Sequence, residues 1–309
     1  MNRYQRKINK ESQDFIMLPT VDYCFKELMR NSKVRKGLIA ALLEIEPEEI
    51  EDTTLLPTIL PKRYEEDKYG ILDVRVKLVN GTQMDFEMQV EKLDFWENRS
   101  IFYLSKMYMD QIESGQNYDV IQKCMHISIL DFVHFPQDTK WYHKIALCDM
   151  EDGKVYTDLM ELHIFELKKL PTEGGKDSKI MEWMRFLSGK KKEDFKKMAA
   201  RNPYIGEAYS ELLKLSADKR KRLEYEARQK AIRDHNAMIH YAERTGQERG
   251  EKIGQERGEK IGQERGEKLK LMELIKKKLG KGKTITQIAD ELEETEENIQ
   301  KIIEKYELG

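Results

Sequence analysis

Gly70-Ile71-Leu72-Asp73-Val74-Arg75-Val76-Lys77-Leu78, the turn Val79-Asn80-Gly81-Thr82 and Gln83-Met84-Asp85-Phe86-Glu87-Met88-Gln89-Val90 form the stretch that decides the fold. Val, Ile and Phe at these positions favour a pleated, half-buried conformation. Successive strand side chains alternate, so Asp85, Glu87 and Gln89 share one face while Phe86, Met88 and Val90 share the other. Carboxylates set into such strands need partners that offset their desolvation. A bound divalent cation is one such partner.

The turn decides whether Asp73 joins that group. A two-residue turn at Asn80-Gly81 places Asp73 opposite Met88, on the wrong face for Glu87. A three-residue loop over residues 79–81, with Gly81 in the left-handed region as a G1 bulge, places Asp73 across from Glu87. An odd-length loop or an equivalent bulge is therefore expected.

The 309 residues are long enough for a substantial core plus appended elements. Charged residues make up 36% of the chain, yet 55 Lys+Arg balance 57 Asp+Glu, which excludes a uniformly basic nucleic-acid coat. Any nucleic-acid contact must come from a local patch. Cys24, Cys124 and Cys148 sit among apolar residues without ligand or disulfide spacing, as expected of reduced, buried thiols. The basic N-terminus (residues 1–7) precedes no apolar signal region, and no apolar run is long enough to span a bilayer, so a cytoplasmic protein without a membrane partner is expected. His126 and His134 flank an apolar strand and read as satisfied structural histidines.

Around the hairpin, residues 22–45 read as one helix and residues 53–60 as a strand. A second helix begins near Trp96, with Ile101, Leu104, Tyr108 and Ile112 at core-facing spacing and Gly115 as its stop. Residues 120–132 read as an inner strand, and 141–148 and 155–165 as two more around Asp152-Gly153. This order gives an α/β (α+β) core over residues 1–170, a mixed central sheet flanked by helices, followed by an α-helical C-terminal region.

Residues 173–177 read as a linker, and 171–245 as a helical region with a structural or interaction role. Residues 246–268 carry a Gly/Glu/Lys octapeptide repeat. Its Glu248–Lys252, Glu256–Lys260 and Glu264–Lys268 pairs favour helix. Its glycines oppose helix by about 0.8–1.0 kcal/mol each. Both a solvated, partly helical spacer and a glycine-striped packing helix fit, whereas a phosphate-cradling P-loop does not. Residues 269–309 form a small helix-turn-helix-like unit with Ile288, Ala289, Leu292 and Ile299 facing inward. Glu296 and Glu297 on its second helix make it a poor reader of the major groove, so dimerisation or masking of a basic surface suits it better.

Asp22-Tyr23-Cys24-Phe25-Lys26, the two hairpin strands, Arg99 with Tyr103, and Gly115-Gln116-Asn117-Tyr118 together resemble the Rpn family. These are recombination-promoting nucleases, also described as transposases, of the PD-(D/E)XK nuclease superfamily. The resemblance covers roughly residues 17–170 by motif order. It implies a restriction-endonuclease-like core that cleaves DNA with a divalent metal, Mg²⁺ or alternatively Mn²⁺. Asp73 matches the metal-binding Asp, Glu87 the second carboxylate, and Gln89 the position that holds Lys in most of the superfamily. Asp85 is an additional ligand candidate.

Hard oxygen ligands suit Mg²⁺, and such an ion activates water and stabilises phosphate charge. Glutamine cannot supply the missing lysine's charge, which leaves Lys26, Lys77, Lys92 or Arg99 to do so. Arg99 and Tyr103 either contact DNA phosphate or brace the sheet. Asp22 and Lys26 are either a surface ion pair or an accessory metal or phosphate group. The leading reading is a low-specificity, metal-dependent DNA endonuclease serving recombination, transposition or defence against foreign DNA. The alternatives are a catalytically weak DNA-binding regulator and an interaction scaffold acting through the tail, with homo-oligomer contacts between C-terminal helices.

Overall fold

The structure, a computed structural model, describes residues 15–60, 70–172 and 177–306. The basic N-terminal segment 1–7 and positions 173–176 of the expected linker lie outside the described residues. Two helices, α1 (Asp22–Arg30) and α2 (Ser32–Leu43), replace the single helix expected over 22–45. Asn31 leaves helical geometry between them, and its side chain accepts from the amides of Lys33 and Val34. The polar stretch is thus an N-cap rather than an interruption of one stripe. Buried Arg35 donates to the carbonyls of Met29 and Arg30, both at 2.8 Å, satisfying the open end of α1.

The strand expected over 53–60 splits at Pro57 into β1 (Thr53–Leu56) and β2 (Ile59–Leu60), because proline has no N–H for a ladder. β2 pairs with β3 (Gly70–Ile71) in a separate two-stranded ribbon. Then come β4 (Val74–Leu78), β5 (Gln83–Gln89), α3 (Trp96–Met109), β6 (Cys124–Leu130), β7 (Tyr142–Cys148) and β8 (Val155–Glu166). The main sheet has the order β1-β4-β5-β6-β8-β7. β6 is parallel to both β5 and β8, while the remaining pairs are antiparallel. This mixed sheet flanked by helices is the α/β restriction-endonuclease-like architecture that the sequence predicts.

Helix α3 is the crossover between parallel β5 and β6. It ends at Met109, well before Gly115, and its buried face is Trp96, Ser100, Tyr103, Leu104 and Met107. Ile101, expected inside, is 53% exposed. The large rings of Trp96 and Tyr103 take the inward positions and turn the isoleucine out.

On the opposite sheet face, Val74, Val76, Phe86, Met88, Ile127 and Ile129 pack into one core with α1 and α2. Helices α4 (Lys179–Ser188), α5 (Lys192–Ala199), α6 (Pro203–Ala217) and the first turns of α7 (Lys219–Leu279) contribute Trp183, Phe186, Phe195, Leu212 and Tyr225 to that same core. Helical residues between 180 and 225 therefore share the core of the sheet. Gly37 of α2 is required there, because a Cβ would sit 2.4 Å from the Tyr204 Cβ.

The chain divides into compact units at residues 232 and 233. In the second unit, the end of α7 packs with α8 (Ile285–Leu292) and α9 (Glu296–Tyr306) around Ile275, Ile288, Ala289, Ile299 and Ile302. The octapeptide repeat lies wholly within α7, and a Cβ at its glycines would meet nothing within 4 Å among the described residues. Gln247, Gln255 and Gln263 each donate to a glutamate four residues on. No described helix is long and apolar enough to cross a membrane. All three cysteines are free; Cys24 and Cys124 are buried as expected, but Cys148 is exposed on edge strand β7.

The β4–β5 loop has three residues. The Leu78 amide donates to the Thr82 carbonyl and the Gly81 amide to the Leu78 carbonyl, both at 2.9 Å. Gly81 has φ +86°, the left-handed position of a G1 bulge. The resulting ladder pairs Val74 with Phe86 and Arg75 with Asp85. We expect Gly81→Ala to lower stability by roughly 1–2 kcal/mol, from left-handed strain. Its Cβ would also lie 2.6 Å from Gln122 Cγ. Urea denaturation beside wild type checks this.

Candidate active site

The β4–β5 ladder ends at the Val74–Phe86 pair; continued by one residue, its register brings Asp73, in the bend before β4, level with Glu87, as the odd loop requires. Parallel β6 then places His126 beside Asp85 and Ser128 beside Glu87. Alternation directs Asp85, Glu87, His126 and Ser128 to the face covered by α3, and all four are buried.

Glu87 Oε1 accepts from Arg99 Nη2 at 2.6 Å and Nε at 3.2 Å. The Arg99 guanidinium also lies 4.8 Å from the centroid of the Tyr103 ring, a cation–π contact. Asp85 Oδ2 lies 2.7 Å from His126 Nδ1. Within this cluster, Asp85 Oδ1, Glu87 Oε2, His126 Nε2 and Ser128 Oγ are buried with no hydrogen-bond partner among the described residues. One donor atom from each of Asp85, Glu87 and His126 falls within 4.8 Å of the others, so these three can hold a metal ion.

Asp73 stands at the rim. Its Oδ1 is 2.8 Å from Lys26 Nζ, and its Oδ2 accepts from the Met88 amide at 3.3 Å. Lys26 Nζ is also 3.7 Å from Asp22 Oδ2, and Asp22 Oδ1 accepts from Arg228 Nε at 2.8 Å. A line of alternating charge thus runs from α7 through α1 to the hairpin. Gln89 Nε2 donates to the Glu91 carbonyl, and Gln89 lines a small pocket with Asp22 and Arg228.

Burial dominates the electrostatics. It pushes the Glu87 carboxyl up to about 7, helped by the neighbouring Asp85 and Asp73 charges and opposed by His126 and Arg99. Burial likewise raises Asp85, against the lowering hydrogen bond from His126. Tyr103 is also raised, chiefly by burial.

Of the cation candidates, the structure brings Lys26 to Asp73 and Arg99 to Glu87. Lys77 lies opposite Gln83 at the far end of the hairpin, and Lys92 in the connection after β5; both are exposed. Tyr103, only 6% exposed, sits against the His126 ring at 6.3 Å and braces the sheet. His126, read from the sequence as purely structural, is part of the central cluster. Its signal was the alternation of His126 and Ser128 with apolar neighbours, the same pattern as Asp85 and Glu87.

A second cluster, Asp138, His143 and Glu166, is closed by an ammonium. Lys169 Nζ lies 3.0 Å from Asp138 Oδ1 and 2.8 Å from Glu166 Oε2. This is an ion-pair network that fastens the loop after β6 to the end of β8.

The raised Glu87 carboxyl has a measurable consequence in metal-free protein. Below about pH 4.5 both folded and unfolded states are protonated; between there and about 7 the unfolded state ionises first, so stability falls as pH rises. Glu87→Gln, which cannot ionise, should gain up to about 3 kcal/mol over wild type near neutrality and nothing near pH 4. Thermal unfolding in chelator across that range reads the difference.

Among known proteins, the family described as PD-(D/E)XK nuclease family transposase matches residues 19–242 of the chain. No curated protein and no solved structure matches it.

Proposed function

Because the chain belongs to the PD-(D/E)XK nuclease family transposases, we propose that it is a cytoplasmic, divalent-metal-dependent DNA endonuclease of low sequence specificity. Its working residues on this reading are Asp73, Glu87 and Gln89, and its role is recombination, transposition or defence against foreign DNA. The observation that carries the reading is the hairpin register that sets Asp73 across from Glu87.

The donor set fits a divalent ion: Glu87 Oε2 and Asp85 Oδ1 are buried oxygens without partners. Asp73 and Glu87 would hold the ion, with Asp85 as a further ligand, and their hard oxygens suit Mg²⁺ or Mn²⁺. When bound, such an ion polarises the phosphate and activates water at neutral pH.

The protein's own groups do the rest. Arg99 clamps Glu87 Oε1 and so leaves Oε2 directed at the site. Gln89 supplies a neutral amide that hydrogen-bonds a water or a phosphate oxygen and so orients it. The charge that glutamine lacks comes from Lys26, whose side chain is 38% exposed and whose ammonium contacts Asp73. Exposure lets it turn to an incoming phosphate, while Asp22 and Arg228 hold its helix face in place.

Plasmid nicking in Mg²⁺ and in Mn²⁺ tests this. Asp73→Ala and Glu87→Ala should each slow nicking by about 100-fold or more, and Lys26→Ala by about tenfold, as expected for lost transition-state charge stabilisation. Wild type and variants that leave the plasmid equally intact while still binding DNA would sink the enzyme reading.

A further inference from the structure

We infer that Lys190, Lys191, Lys196, Lys197 and Arg201, on and around α5, form a surface that binds the phosphate backbone of duplex DNA. It is continuous with the end of the sheet that carries Gln89. The identity of the partner rests on the nuclease reading; the surface itself rests on charge and geometry.

The chain as a whole has no excess of cations, 55 Lys+Arg against 57 Asp+Glu. Residues 190–201 hold six Lys and Arg against two carboxylates, so this segment is a local exception. Its acidic neighbours are occupied elsewhere. Asp194 Oδ2 accepts from the amides of Lys190 and Lys191 at 3.4 and 3.1 Å, and Asp177 holds Arg185 at 2.6 Å. Lys191, Lys196, Lys197 and Arg201 are exposed and have no ion-pair partner among the described residues. Lys191 and Lys192 also stand at the N-terminus of α5, the end where a helix dipole disfavours cations. An anion placed among them is favoured by both the dipole and the ammoniums.

The surface is built on fixed backbone. Gly189, in the turn before α5, lies so close to Phe195 that a Cβ there would sit 2.5 Å from the ring Cε1. Phe195 is itself fully buried in the core beneath the sheet. The turn and its lysines are therefore anchored, and less ordering is needed when a ligand arrives.

A chain of contacts joins this surface to the candidate active site. Parallel strands β5, β6 and β8 end together, with Gln89, Leu130 and Glu166 in one row. Open α/β sheets take ligands at the carboxyl ends of such strands. One residue beyond that row, the Asp131 amide donates to the Gln89 carbonyl at 2.9 Å. Lys168 Nζ and Lys190 Nζ share the Asp131 carboxylate, at 3.1 and 3.6 Å. Two ammoniums on one carboxylate leave a positive excess there. Lys190 then lines an open cleft with Lys197 and Arg201. Lys26, at Asp73, lies on the other side of the β5 end, so cations flank Gln89 in both directions. A phosphate backbone laid across this end of the sheet meets them in turn.

The test measures binding of full-length protein to a short fluorescent duplex by anisotropy, in chelator and across a KCl series. Lys196→Ala/Lys197→Ala/Arg201→Ala should bind about tenfold or more weakly, to the same extent for unrelated sequences, with the salt slope reduced by about 2–3. A control that removes equal charge from the repeat, Lys252→Ala/Lys260→Ala/Lys268→Ala, should stay within about twofold of wild type. In wild type, bound duplex should protect Lys190, Lys191, Lys196 and Lys197 from acetylation read by mass spectrometry.

Absence of that protection overturns the inference, whether or not the α5 variant folds. So does a folded α5 variant with wild-type affinity and slope, an equal loss in the control, or a wild type that binds no duplex. Wild type that pelleted with phosphatidylserine vesicles through these residues, while duplex binding ignored them, would also overturn it. Protein that nicks plasmid without these effects keeps the nuclease reading and loses this one; duplex binding through α5 without nicking does the reverse.

Discussion

The left-handed turn at Gly81 is the constraint on which the rest of the site depends. With three residues in the loop, the β4–β5 ladder pairs Val74 with Phe86 and leaves Asp73 beyond its end, across from Glu87. A shift of one residue would exchange the faces of one strand against the other. Valine and leucine of β4 would then stand among the carboxylates, and its charged residues would enter the core. The apolar faces of Val74, Val76, Met84, Phe86 and Met88 therefore enforce the register that serves the polar face.

Charge and burial oppose each other on that polar face. Asp85 and Glu87 are almost fully enclosed between the sheet and α3, and their neighbours offset only part of the desolvation. Arg99 reaches in from α3 for one oxygen, and His126 from β6 for another. Asp73, nearer solvent, is matched by Lys26. The result is a gradient, with orphaned acceptors inside and a half-exposed ammonium at the rim.

Where sequence reading and structure part company, packing or capping is the cause. The apolar stripe over residues 22–45 spans two helices because Asn31 caps the second, which is a local hydrogen-bond choice that periodicity does not register. Ile101 faces out because Trp96 and Tyr103 fill the space beneath α3. Cys148 is exposed because β7 is an edge strand. The helices after residue 171 look like an appendage in composition, yet Trp183, Phe195 and Tyr225 are interior to the sheet's own core. The glycine repeat is helical despite its low propensity.

The sequence by itself determined the alternation of Asp85, Glu87 and Gln89, the two loop lengths that could follow, and the family to which the motifs point. These are local properties, set by a period of two and by the backbone freedom of one glycine. Only the tertiary structure decided which strand lies beside β5, and hence that His126 stands next to Asp85. It alone set Lys26 against Asp73 and Arg99 against Glu87, and left Lys77 and Lys92 exposed. Those pairings join residues far apart in the chain, and their distances follow from how helices and strands pack, which no local pattern encodes.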